Sequence, residues 1–279
     1  MTQKRKRPKS LYQRIKENTK IQTSATVILP VLLGVVIVVL WQTQTLHHLF
    51  RTDTFTLPLL DRIGSILFDN IDKIWENVVA TMVVALAGLG LGSLLGYGIA
   101  MLAALCPKIG KGGLSVIGAF ASIPVVALAP VMNNWTRDIS DIASVRSMVA
   151  KILVVMLVAA ANMGLNAYRG LTELKPYSMD LMATYAAKKR TTFLKLQLPN
   201  SVPYIFVALK VSVPASIMTA IVSEYFAEYI IGVGRQIREN IVLSQYSTAW
   251  AYIATACIMG VVSYVALMIV QSILLRKYH

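Results

Sequence analysis

The sequence predicts an all-α polytopic membrane protein with six transmembrane helices and one long cytoplasmic helical loop. Composition, the spacing of apolar runs and the placement of basic residues lead to this class. Of 279 residues, 56% are hydrophobic and 14% charged, with a mean hydropathy of +0.62. A soluble domain carries roughly a quarter of its residues as charged side chains, so a water-exposed surface is excluded. The net charge is nevertheless +14, from 27 Lys+Arg against 13 Asp+Glu. Such charges belong in short polar segments facing anionic membrane lipid or an acidic partner, and nucleic acid is not the expected partner. Cys106 and Cys257 lie in or beside apolar runs, with neither a disulfide framework nor metal-ligand spacing.

A hydrocarbon core about 30 Å thick takes about 20 helical residues. Apolar stretches of that size fall at 24–43, 77–105, 113–135, 148–168, 203–223 and 249–275. The fourth carries Lys151 and the fifth Lys210, whose long stems are expected to snorkel toward an interface. Residues 1–22 form a basic tail ahead of the first span. That span is too long for a signal peptide and lacks a small-residue cleavage site, so it reads as a retained anchor. Residues 23–279 read as one domain, since no linker or internal repeat divides them. The segment 44–76 alternates Leu59, Ile63, Ile66 and Leu67 with Asp61, Asp69 and Asp72, as in a helix lying along the interface.

Charge sets the orientation. The two ends and the segments around Lys108 and 168–200 hold 18 Lys/Arg; the other three connecting segments hold 7. The positive-inside rule places both termini in the cytoplasm.

Two segments depart from generic span chemistry. Gly88, Gly92, Gly96, Ala100 and Ala104 recur every four residues, which puts small side chains on one helix face and marks a close packing seam. The run GLGLGSLLGYG has no preceding strand and no Lys-Ser/Thr ending, so it is not read as a phosphate loop. Residues 169–200 are too polar, basic and long for a simple connection. They read as two short helices broken near Ala186 and Ala187 and stopped at Leu198-Pro199. Such a knob, with Lys188, Lys189 and Arg190 forming a cationic side, suits docking into a groove on a soluble partner, although a plain solvated loop is the competing reading.

The stretch from Asp180 to Pro199 resembles the cytoplasmic coupling loop of ATP-binding-cassette importer permeases, whose pattern is Glu-Ala-Ala, a later Gly, and Ile-x-Leu-Pro. Counted back from Leu198 and Pro199, the Gly falls on Ala186, the Glu on Asp180, the Ala pair on Leu181 and Met182, and the Ile on Leu196. SIPVVALAPVMNNW before Thr136 and AIVSEYFAEYIIGVG before Arg235 are similar to segments of the subgroup handling nitrate, sulfonates, taurine and pyrimidine precursors. The resemblance implies a bacterial inner-membrane permease subunit that pairs with a second copy. It implies two cytoplasmic subunits that bind and hydrolyse ATP and an extracytoplasmic solute-binding protein. The chain itself would hold no cofactor and catalyse no covalent step.

Polar groups at membrane depth either line a pathway or satisfy one another. Asn133, Asn134 and Trp135 end the third span, Asn162 lies in the fourth, and Thr219, Ser223 and Glu224 approach the outer end of the fifth. They are the candidates for a solute route. Helix capping and headgroup placement compete for Asn133 and Asn134, and pairing with Arg235 competes for Glu224. Pro124, Pro130 and Pro214 are expected to kink their spans. His47, His48 and His279 lack metal-ligand spacing. A self-sufficient secondary transporter or channel is the alternative, but it should carry inverted repeats and deeply placed charges.

Overall fold

The computed structural model describes residues 19–275, apart from 228 and 230. Residues 1–18 of the basic tail, and His279, lie outside that range. Among the described residues all regular structure is helical, and the chain divides into two units, 1–64 and 65–279.

In the first unit α1, Thr19–Gln42, is 24 residues long. Leu29, Val31, Leu33 and Val35, on different sides of it, are all more than half exposed, the surface expected of a helix solvated by lipid. After α2, Thr45–Phe50, the chain folds back on itself. The Trp41 indole donates to the Pro58 carbonyl at 2.9 Å and the His47 ring to the Leu57 carbonyl at 2.6 Å. Gln42 accepts from the Leu60 amide and donates to Asp61, which fixes the start of α3, Leu60–Asp69.

The second unit contains α4 (Ile71–Leu105), α5 (Pro107–Ala121), α6 (Val125–Trp135) and α7 (Ala143–Thr172). It continues with α8 (Ser178–Thr184), α9 (Lys189–Thr192), α10 (Leu198–Tyr225), α11 (Val233–Val242) and α12 (Tyr246–Leu275). Among the described residues four helices are long and apolar enough to cross a membrane: Ile71–Leu105, Ala143–Thr172, Lys189–Tyr225 and Tyr246–Leu274. The expected third span is not one helix. It is shared by α5 and α6, of 15 and 11 residues. Pro124 causes the interruption: it adopts φ −58°, ψ 127°, lacks an N–H, and pushes the preceding residue away from helical angles.

Leu198-Pro199 does not stop a helix, contrary to the sequence expectation. A π-helical turn, Phe193–Gln197, joins α9 to α10, and the Leu198 amide bonds back to the Phe193 carbonyl. Proline tolerates the first helical turn, and the widened turn before it relieves the clash its ring would make with the carbonyl four residues back. Lys189–Tyr225 is therefore one helix of 37 residues.

α4 and α7 meet along the small-residue row. A Cβ on Gly88 would lie 2.5 Å from the Val155 Cβ, one on Gly92 would strike the Met156 carbonyl, and one on Gly96 the Ala160 carbonyl. Ala159, Ala160 and Ala161 on α7 are almost completely buried, so the two backbones touch with little side chain between them. One apolar core joins Val84, Ala85, Val155, Ile217, Ala220, Val233 and Met259, and a second joins Ala100, Met163, Ala167, Leu171, Phe193 and Ala208.

Candidate functional site

The segment between α7 and α10 is a rigid hook. Asn200 donates to the carbonyls of Gly170 at 2.8 Å and Glu173 at 3.1 Å, closing the start of α10 onto the end of α7. Tyr97 of α4 shares a 2.9 Å hydroxyl bond with Ser201. From this base the chain enters α8 through Tyr177, at φ 62°, and leaves through Ala186, at φ 50°. The Ala186 amide bonds to the Ala183 carbonyl and the Ala187 amide to the Met182 carbonyl. Those two bonds, with a left-handed residue between them, form a Schellman stop. Ala186 is thus held in a conformation that favours glycine, which gives a backbone reason for the small residue at that position. Its side chain is exposed, so internal space is not the constraint.

No residue of α8 is buried. Tyr177, Leu181 and Tyr185, four residues apart, are 82%, 57% and 76% exposed and share one face. Asp180 lies beside that stripe, and Lys188, Lys189 and Arg190 are exposed beyond the stop, with Ala187 and Leu198 partly covered and Pro199 open. The basic residues drew attention in the sequence. The aromatic stripe was missed, although its spacing of four was visible there.

The polar residues proposed for a route are carried by three helices, α6, α7 and α10. Asn133 donates to the Phe226 carbonyl at 3.2 Å, tying α6 to the end of α10. Asn134 is exposed and Trp135 is 74% exposed. Asn162 is partly exposed on α7, and its carbonyl accepts from the Asn166 amide group. Ser223 and Glu224 are buried in the helix bundle.

Glu224 does not pair with Arg235. Arg235 bonds Glu239 at 2.6 Å, one turn along its own helix. The Glu224 Oε2 instead accepts from the Thr81 hydroxyl and from the Gly234 amide, both at 2.9 Å. Gly232, at φ 114°, packs so closely on the carboxylate that a Cβ there would collide with it. The amide of Gly234 lies in the first turn of α11, where the helix dipole favours a negative charge. Lys151 does not snorkel to an interface: it is 3% exposed, and it and Glu224 act on each other electrostatically. The sequence showed Asn77, Thr81 and Lys151 only as isolated polar residues in apolar surroundings, since their partners come from distant helices.

Among the described residues no cluster of His, Cys, Asp or Glu is arranged to hold a metal. The glycines of GLGLGSLLGYG lie inside α4, where the amides serve the helix and offer no cradle for phosphate.

Over 201 residues the chain is 25% identical to the formylaminopyrimidine transport permease protein ThiX of Halalkalibacterium halodurans, covering 72% of this chain and 77% of that one. Over 146 residues it is 26% identical to the nitrate import permease protein NrtB of Leptolyngbya laminosa, covering 52% and 47%. Its fold is similar to a chain of the MetNI methionine ABC transporter in an inward-facing conformation, with a TM-score of 0.57 at 17% identity, covering 75% and 95%. Residues 88–279 match the binding-protein-dependent transport system inner membrane component family. That match takes in well over half of the chain, and the chain belongs to this family.

Proposed function

We propose that this chain is the membrane-spanning subunit of an ATP-driven importer for a small polar solute, of the nitrate, sulfonate, taurine or pyrimidine-precursor kind. The observation that carries the reading is the hook at 177–200, which presents Tyr177, Leu181 and Tyr185 outward and, past the stop at Ala186, leads into the helix Lys189–Tyr225. Exposed tyrosines on a rigid support are the residue type that dominates protein interfaces. Two cytoplasmic ATP-binding subunits dock there, and their nucleotide-driven closure moves the hook and the helix attached to it. A second permease copy completes the pathway and an extracytoplasmic binding protein delivers the solute. The chain carries no nucleotide site of its own.

In this reading the chain crosses a bacterial inner membrane six times, α5 and α6 sharing one crossing, with both termini cytoplasmic. Asn162 and the amides near Asn133 line the route, offering both donors and acceptors to a polar solute. The testing experiment is co-purification from mild detergent with the tagged chain as bait. Recovery of a protein bearing nucleotide-binding motifs, lost in Leu181→Asp with Tyr185→Asp, supports the reading; a chain that transports solute alone in liposomes refutes it.

A further inference from the structure

The first turn of a helix has amides with no partner in the helix itself. In α11 three successive amides at this end are met by side chains from elsewhere. Gly232 donates to the Asn77 Oδ1 at 2.8 Å, Val233 to the Thr81 Oγ1 at 2.9 Å, and Gly234 to the Glu224 Oε2 at 2.9 Å. Asn77 and Thr81 stand one turn apart on α4, while Glu224 lies in the last turn of α10. Three helices are thus joined at one point.

Thr81 is the centre of that junction. Its side chain is fully buried. The hydroxyl oxygen receives the Val233 amide, and its one proton is shared between the Asn77 carbonyl at 3.0 Å and the Glu224 Oε2 at 2.9 Å. Here no water replaces a lost bond, so the hydroxyl's connections are costly to break one at a time. The surrounding backbone leaves no slack: a Cβ at Gly234 would overlap the Ile221 carbonyl of α10, and Gly232 is pressed on the Glu224 carboxylate. The far end of the helix that carries Glu224 is the docking hook.

Resting on the transport reading above, we propose that Thr81 is a positioning residue of the transport cycle. Its hydroxyl makes the outer ends of α4, α10 and α11 move as one body, so that displacement of the hook reaches α11. A threonine that merely filled space would not transmit movement through its oxygen.

Two measurements on the full chain test this. Amide hydrogen exchange in the purified protein reads the junction directly. Exchange at Val233 and Gly234 is expected to rise at least tenfold in Thr81→Val and to stay within twofold of wild type in Thr81→Ser; unchanged exchange in Thr81→Val overturns the junction. The second measurement uses the complex with its ATP-binding subunits, with Cys106 and Cys257 replaced by serine and Leu243, 62% exposed, replaced by cysteine. ATP is expected to change labelling of that cysteine by an impermeant maleimide at least threefold in the parent and in Thr81→Ser, and by less than 1.5-fold in Thr81→Val. An ATP response preserved in Thr81→Val, or absent from the parent, overturns the positioning role. Should Thr81→Val fail to accumulate, Asn77→Ala, which frees the Gly232 amide, is measured in its place and must give the same direction. If the parent recruits no ATP-binding subunit the transport reading fails, while hydrogen exchange still decides the junction.

Discussion

Ala186 is the residue whose replacement by glycine should improve the fold. An L-residue in the left-handed region costs roughly 1–2 kcal/mol, because its Cβ crowds the following carbonyl. Glycine avoids that cost but gives up about 0.5–1 kcal/mol through the larger freedom of its unfolded chain. At φ 50° the balance favours Ala186→Gly by about 0.5–1 kcal/mol, a two- to fivefold shift in the local opening equilibrium. The assay is hydrogen exchange at the Ala187 amide, whose bond to Met182 closes the Schellman stop. Exchange should slow two- to fivefold in Ala186→Gly and accelerate in Ala186→Val, since β-branched residues tolerate this region least. Equal rates in the glycine and valine variants would refute the backbone argument. Ala186→Trp and Ala186→Glu combine the unfavourable conformation with bulk on the docking face, and ATP-driven uptake should be lost while membrane insertion persists.

Leu181→Ala and Tyr185→Ala should each weaken association with the ATP-binding subunit about tenfold or more, measured by titration in detergent, whereas neutralising any one of Lys188, Lys189 and Arg190 should change it by about fivefold or less, because exposed charges contribute on the order of 1 kcal/mol or less. Gly96→Leu should destabilise the chain by about 1–3 kcal/mol or more, read as a fall in the thermal midpoint, because the added side chain meets the Ala160 backbone. Asn162→Leu should lower solute uptake with the complex intact, checked by transport and size-exclusion assays on one preparation; loss of assembly would instead assign this amide to helix packing. A cysteine at Asp61 should react with an impermeant reagent in intact cells, and protection there would reverse the orientation.

Apolar runs bounded by charge gave away α4, α7, α10 and α12, because about 20 residues of uninterrupted hydrophobicity fit a bilayer and little else. Hydropathy does not register a backbone break, so Pro124, expected only to kink its span, divides that apolar run into two helices. The opposite error arose at Pro199, where a proline suggested a stop and the π turn ahead of it let the helix continue. Every-fourth glycine spacing announced a seam on α4, but nothing local named α7 as its partner. Glu224 and Arg235 are close in sequence, which suggested a pair; Arg235 is satisfied by Glu239, and the carboxylate finds its donors on Thr81 and Gly234. Long-range polar partners depend on how helices are rotated about their axes, and one sequence carries no direct record of that.

A continuous helix fixes angular phase as well as length. Between Leu198 and Glu224, deleting one residue would rotate the carboxylate by about 100° and draw it in by about 1.5 Å, taking it out of reach of Thr81. A seven-residue insertion would restore the angle to within about 20° yet lengthen the rod by about 10 Å. The π turn at Phe193–Gln197 is the exception, since such a turn absorbs one extra residue while its flanks keep their orientation. Removing that residue would preserve phase but leave Pro199 behind an ordinary helical turn, its ring against a carbonyl. By this geometry changes in chain length are tolerated only in the loops, and the helix between hook and junction accepts substitution alone.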